Sequence, residues 1–177
     1  IVESRQQVQN VSKKYFIPRS KLRCLLTGVP RSRFASQEKP IKASLEHIVK
    51  PYILFRGKAN KEAGIEKVLV DFDKLNKGLH LVIHTNKLFS HHNRKVTIIN
   101  EFLADEEMAW LYRNCILAIG QFGNSGRTNR TIPHKFFEAV NLNIPYLTPK
   151  TDSLMSLLGE DYPFWIESLA DLNSKHL

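Results

Sequence analysis

Tyr52-Ile53-Leu54-Phe55-Arg56-Gly57-Lys58 is a short apolar run that ends in a glycine between two cations. Four consecutive apolar residues leave no polar face, so a strand built from them must be covered on both sides. A helix is predicted next, over residues 61–75, because Ile65, Val68, Leu69, Phe72 and Leu75 fall on one stripe. The alternation then repeats. Strands are predicted at 79–84, 95–99, 115–119, 144–147 and 164–166. Between them come a helix capped by Asp105 with Met108, Leu111 and Tyr112 inside, and further helices at 133–141 and 153–158. Short apolar strands separated by amphipathic helices imply an α/β fold, a Rossmann-like doubly wound parallel sheet. Such sheets bind ligands beyond the carboxyl ends of their strands, at a switch point in strand order.

Upstream of this series the pattern is weaker. Ser4 is placed to cap a helix running to about residue 16, with Val8, Val11, Tyr15 and Phe16 near one face. Residues 21–26 read as a strand closed by Thr27-Gly28-Val29-Pro30. The polar, lysine-rich stretch after it reads as a linker with a short helix at 44–49. The chain has 177 residues, enough for one sizeable core. No apolar run approaches the roughly 20 residues that span a bilayer. The opening Ile1-Val2-Glu3-Ser4-Arg5 has no leader character and no methionine, and reads as the start of a piece of a longer protein. Cys24 and Cys115 lie inside apolar runs and are expected to be buried free thiols, which suits a reducing, cytoplasmic compartment. The formal charge of +9 favours anionic partners.

Two post-strand loops carry the chemistry. Gly120-Gln121-Phe122-Gly123-Asn124-Ser125-Gly126-Arg127-Thr128-Asn129-Arg130 leads to Pro133-His134-Lys135-Phe136-Phe137-Glu138. Glycines let backbone N–H groups approach an anion, and the following helix offers its free N–H groups, so a phosphate site is expected there. Arg127, Arg130 and Lys135 supply countercharge. The Gly57-Lys58 turn is a second glycine-basic corner, without the spacing of a Walker loop. Glu138, one turn after Lys135, is a carboxylate of the kind that accepts ribose hydroxyls. His84 and the pair His91-His92 raise the question of a metal. Adjacent histidines are expected to point different ways, and no metal site is expected.

At these residues the chain resembles the C-terminal domain of GT-B retaining glycosyltransferases, most closely the family 4-like group. The likeness rests on Tyr52 to Lys58, on Glu62-Ala63-Gly64-Ile65-Glu66-Lys67-Val68-Leu69, and on Phe102-Leu103-Ala104-Asp105-Glu106-Glu107-Met108. It continues in Pro133-x-Lys135-x-x-Glu138-Ala139 and Asn143-Ile144-Pro145-Tyr146. It implies the C-terminal half of a GT-B fold. Residues 1–34 would be the end of a preceding N-terminal domain, 35–50 a linker, and 51–177 the donor-binding domain. The resemblance implies a metal-independent enzyme that takes a nucleotide-diphosphate-sugar as substrate and needs no other cofactor. Its partners would be an N-terminal domain outside this chain and a glycan or lipid-linked acceptor. It further implies that Gly57, Lys58, Gly123, Asn124, Ser125, Gly126 and Lys135 meet the diphosphate and Glu138 the ribose. Phe102 and Leu103 would meet the base, and Arg127 and Arg130 would lie near the sugar.

Three positions depart from the family pattern. The first glutamate of its Glu-x7-Glu motif falls at Arg130. Its lysine before Gly64 falls at Ala63, with Lys61 nearby, and its usual arginine is Lys58, a point charge in place of a fork. The expected chain is thus a hexosyltransferase-like domain that binds nucleotide but turns over little on its own. It would sit in the cytoplasm or at the inner face of a membrane, in polysaccharide biosynthesis. Nucleotide-sugar epimerases share the fold but need acid/base carboxylates in the cleft. A basic module for nucleic acid or membrane would need cations and aromatics clustered away from the strand ends. The aromatics sit mostly at predicted core positions, so no nucleic-acid partner is expected.

Overall fold

The structure is a computed structural model that describes residues 1–34, 42–75, 78–173 and 176–177. The first part of the expected linker, residues 35–41, lies outside the described residues.

The chain opens with helix α1 (Arg5–Tyr15), capped as expected by Ser4, whose hydroxyl accepts the N–H of Gln7. Ser4 also donates to the carbonyl of Arg130, and Gln6 to that of Asp152, so the helix lies against the far end of the chain. The strand expected at 21–26 does not form. Pro18 and Arg19 accept the N–H groups of Lys21 and Leu22 in a 3-10 turn, and only Cys24 bridges to Val2. Leu25 and Leu26 stay exposed because no second strand covers them. Cys24 is exposed as well, against expectation, whereas Cys115 is buried. A short helix α2 (Ala43–Glu46) precedes the sheet.

Five strands follow: β1 (Tyr52–Arg56), β2 (His80–His84), β3 (Val96–Ile99), β4 (Leu117–Ile119) and β5 (Tyr146–Leu147). Every pairing is parallel, and the order is β3-β2-β1-β4-β5. The helices between and after them are α3 (Ile65–Asp73), α4 (Asp105–Asn114), α5 (Gly126–Arg130), α6 (His134–Asn141) and α7 (Asp152–Leu158). This is an α/β Rossmann-like sheet. The two-residue alternation of a strand divides β1 between two cores. Ile53 and Phe55 pack with Ile65, Val68 and Phe72 of α3, whereas Tyr52 and Leu54 pack with Met108 and Leu111 of α4 and Ala139 of α6. The four apolar side chains of β1, Tyr52 to Phe55, are fully buried, and each such burial is worth roughly 1.5–3 kcal/mol.

Three local outcomes differ from the sequence reading. Helix α3 starts four residues late because Asn60 closes a turn with Ala63 and Gly64, and Gly64 takes a φ of 68°. Asp105 is the first helical residue of α4 and Ala104 the cap, with the Glu107 carboxylate accepting the Ala104 N–H at 2.7 Å. The strand expected at 164–166 shrinks to one bridge between Thr148 and Trp165. One connection is unusual for a parallel sheet. Neighbouring parallel strands are commonly joined through a helix, yet residues 85–95 cross from β2 to β3 with no helix.

From β1 the chain runs outward through β2 and β3, then returns through α4 to β4 on the other side of β1. The switch point therefore lies at the carboxyl ends of β1 and β4.

Candidate functional site

A cleft of about 640 Å³ opens at the carboxyl edge of the sheet. Its walls are the ends of β1 and β2 (Arg56, Gly57, Lys58, His84, Thr85, Asn86) and the segment from Asn100 to Leu103, with Arg33 and Asp105 at the rim. Gly57 is fixed by its N–H to the His84 carbonyl, and the Ala59 N–H donates to the Asn86 side chain. Phe102 is 83% exposed at the mouth, while Leu103 beside it is buried. The Thr85 hydroxyl is buried and has no hydrogen-bond partner. A second hollow of about 620 Å³ lies beyond β5, where the carboxylates of Glu160, Asp161, Glu167 and Asp171 outnumber Lys150 and His176. That lining suits an anion less well than the cations of the first cleft do.

Behind the cleft, α6 carries the two residues singled out by their spacing. Glu138 is fully buried, and both of its oxygens are held by the protein. Arg56 donates to Oε2 at 2.6 Å and the Tyr112 hydroxyl to the same oxygen at 3.0 Å. Oε1 is met more loosely, by Arg33 Nη1 at 3.3 Å and His134 Nδ1 at 3.3 Å. Arg33 also donates from Nε to Asp105 at 2.9 Å. This carboxylate therefore stands in an ion cluster, not free beside the cleft as its position in the motif suggests.

Lys135 is buried too. Its Nζ donates to the Gly120 carbonyl at 2.8 Å and lies 4.0 Å from the centre of the Phe55 ring. Burial holds this ammonium well below the ordinary lysine range, and the nearby Arg56 guanidinium pushes the same way against the pull of Glu138. A Cβ added at Gly57 would stand 3.8 Å from that Nζ. The bare glycine is what separates Lys135 from the Arg56–Lys58 corner of the cleft. His84 is likewise lowered, chiefly by burial, while its contact with the Glu101 carbonyl opposes the shift.

Of the residues expected at the site, Gly57, Lys58, Phe102 and Leu103 line the cleft, and Lys135 and Glu138 back it. Gly123, Asn124, Ser125, Gly126, Arg127 and Arg130 are not in its lining. The loop expected to be an open phosphate cradle is partly structured: Ser125 caps α5, accepting the N–H of Thr128. Gly123 is needed for packing, since a Cβ there would lie 2.0 Å from the Lys61 carbonyl. Arg56 was not among the residues expected at the site, although its place at the end of the central strand is signal enough. Nothing in the sequence pairs Arg33 with Glu138.

The histidines also differ from expectation. The rings of His91 and His92 lie 4.4 Å apart at 30°, and both reach Asp73. The premise that they diverge is incorrect.

No protein-family model matches the sequence, and no curated protein matches it. Solved structures do match the fold, and they are GT-B glycosyltransferases. A glycosyltransferase from Rickettsia africae is 16% identical, with a TM-score of 0.66 over 94% of this chain and 50% of that one. HepE of Anabaena, in complex with UDP and glucose, is 12% identical, with a TM-score of 0.68 over 96% of this chain and 51% of that one. WaaG, a glycosyltransferase involved in lipopolysaccharide biosynthesis, is 15% identical, with a TM-score of 0.57 over 85% and 44%. The chain spans about half the length of the structures it matches. It has a GT-B glycosyltransferase-like fold. Among the described residues no helix is long and apolar enough to cross a membrane.

Proposed function

We propose that this chain is the donor-binding half of a glycosyltransferase that moves a hexose from a nucleotide-sugar to a glycan or lipid-linked acceptor. The observation that supports this most is the cleft at the switch point, where Arg56 and Lys58 converge on one corner backed by Lys135. The diphosphate lies at that corner. Its developing charge on departure of the sugar is met by fixed cations of the protein, so positioning and electrostatics supply the catalysis. Phe102 offers an exposed ring for the base. The ribose takes Glu138 Oε1, the oxygen whose protein partners are the longer ones, displacing Arg33. Arg127 and Arg130 serve the sugar only if α5 moves toward the cleft. The nucleotide-sugar is the substrate and no other cofactor takes part. Acceptor contacts and full turnover belong to a partner N-terminal domain.

Calorimetric titration of UDP, GDP and ADP into the 177-residue chain tests this reading. One of the three binds, and Lys58→Ala weakens it about tenfold, as expected for loss of one charge-assisted contact of roughly 1.4 kcal/mol. Absence of binding by all three ends the proposal.

One observation supports a peripheral membrane contact besides. From Ser4 to Gln37 the chain has no acidic residue, and Lys13, Lys14, Arg19, Lys21 and Arg23 are exposed together with Tyr15 and Phe16. Cations beside aromatic anchors suit an acidic lipid surface. Flotation with vesicles containing phosphatidylserine, and not with neutral ones, is the expected result. Equal flotation with both discards the contact.

A further inference from the structure

We infer that Asp73, His91 and His92 form a zinc-type metal site that clips the helix-less crossover between β2 and β3 to the end of α3. The site shares no residue with the cleft and does not depend on the glycosyltransferase reading.

The crossover needs a fastening. Residues 85–95 run back along the sheet with neither helix nor strand, so their backbone lacks the internal ladder that a crossover helix provides. Phe89 packs partly against the α3-side core. Beyond it, His91, His92 and Asn93 all reach toward one side chain, Asp73, the last residue of α3.

The chemistry of the three groups suits a borderline-soft divalent cation. Two imidazoles and a carboxylate are a common zinc donor set, and three protein ligands leave a fourth position for water. Around zinc at about 2.0–2.2 Å, tetrahedral ligand atoms stand roughly 3.3–3.5 Å from one another. His91 Nε2 is 3.3 Å and His92 Nε2 3.5 Å from Asp73 Oδ2, and one donor atom from each of the three residues lies within 4.8 Å of the others. Asp73 is already oriented, because its other oxygen accepts the Asn93 side-chain amide at 2.8 Å. Outer contacts of this kind hold ligating carboxylates in place.

The helix supplies a second argument. Asp73 stands at the carboxyl end of α3, the negative end of its dipole, and no basic residue lies in that last turn. Among the described residues, the cap residue Lys74 that follows has no bond to Asp73. An anion there is unfavourable unless a cation stands beside it. Asp71, one turn-edge away, is satisfied by Lys67 and Ser168. For Asp73 the facing groups are two imidazoles, which are neutral in their metal-binding form. A divalent ion between them neutralises the carboxylate and the helix end together.

Binding has one cost that limits its strength. His91 Nδ1 accepts the Asn93 N–H at 3.2 Å, so without metal the ring proton sits on Nε2 and points at Asp73. Metal on Nε2 moves that proton to Nδ1 and ends the Asn93 contact. With three ligands and His92 81% exposed, the affinity expected is micromolar, weaker than a closed four-ligand structural site.

The test uses the full chain without a histidine tag. Cobalt(II) titration should give the visible absorption of a low-symmetry nitrogen–oxygen site at one equivalent, and zinc should displace it. Zinc should raise the unfolding temperature and slow amide exchange across residues 85–95. His92→Ala removes a side chain too exposed to matter for folding, so it should abolish the cobalt spectrum and the zinc-induced shift while the metal-free unfolding temperature stays the same. Asp73→Asn should do likewise. UDP titration should be the same with and without zinc. An unchanged cobalt spectrum in His92→Ala, or no spectrum at all in the parent chain, overturns the site. Loss of UDP binding alone bears only on the cleft.

Discussion

Lys135 and Glu138 stand one turn apart on α6, and the protein handles their burial differently. Glu138 is given two guanidinium partners, a phenol and an imidazole. Lys135 is given one carbonyl and an aromatic face, and its ammonium is destabilised. The unfolded chain keeps that lysine proton up to about 10.5, and the folded chain releases it at lower pH. Across the interval the unfolded chain binds more protons, so this group's contribution to stability rises with pH and is least favourable on the acid side. A diphosphate beside Gly57 reverses the shift. UDP binding in that interval should take up a proton, seen as a heat of binding that varies with the buffer's ionisation enthalpy, and Lys135→Met should remove the variation. A heat independent of buffer would place the phosphates elsewhere. For Glu138 the expectation concerns stability. Removing the carboxylate leaves Arg56 and Arg33 facing a buried void. Glu138→Ala should therefore lower the unfolding free energy by about 3–5 kcal/mol in urea titrations, and Glu138→Gln by less. A loss under about 1 kcal/mol would mean the cluster is not coupled to folding.

Among the elements, the glycine at the cleft and the glycine between the loops after β1 and β4 have opposite roles, and their variants separate them. Gly123 lies with its backbone against that of Lys61 and Glu62, and Phe122 donates to the Ala63 carbonyl, so the loops after β1 and β4 are joined there. A methyl group at Gly123 meets carbonyl oxygens at 2.0 and 2.5 Å and forces the loops apart. Gly123→Ala should cost about 1–3 kcal/mol, read from the same urea titrations. At Gly57 a methyl meets only ordinary contacts, so Gly57→Ala should fold within about 0.5 kcal/mol of the parent. It should still weaken UDP severalfold by screening Lys135, and equal affinity would show that Lys135 does not reach the ligand. The strand and helix series was legible because buried parallel strands are short and wholly apolar. β1 to β5 were all found. The starts of α3 and α4 were misplaced, since a left-handed glycine and a cap by Glu107 leave little periodic trace. The stretch at 21–26 has the apolar content of a strand but no neighbour to pair with, a fact no local pattern contains.

Over the whole molecule, the first 34 residues are tied to the site by a contact that sequence could not reveal. Arg33 and Glu138 are 105 positions apart, and no periodicity links them. The same holds for Asp73 and His91: each is an ordinary surface residue until the crossover brings them together. Gly57, Lys58, Phe102 and Leu103 were legible because the ends of parallel strands must meet at one edge. The reach of Arg33 depends on how residues 31–34 settle on α4, where Phe34 is buried and its carbonyl accepts the Arg113 side chain. Arg33 bridges Asp105 at the head of α4 and Glu138 on α6, so it spans two helices that flank one core. Its side chain is 28% exposed, and one of its two bonds goes to a fully buried carboxylate. Arg33→Ala should lower the unfolding free energy by about 1.5–3 kcal/mol, the range for a hydrogen bond to a charged group. The ribose and Arg33 compete for Glu138 Oε1, so the same variant should bind UDP no more weakly than the parent. Arg33→Lys keeps the charge without the fork, and should recover part of the stability but not the double contact. Urea titration and calorimetry on the two variants decide the matter: a loss of UDP affinity in Arg33→Ala with stability unchanged would make Arg33 a ligand for the phosphates and not the keeper of Glu138.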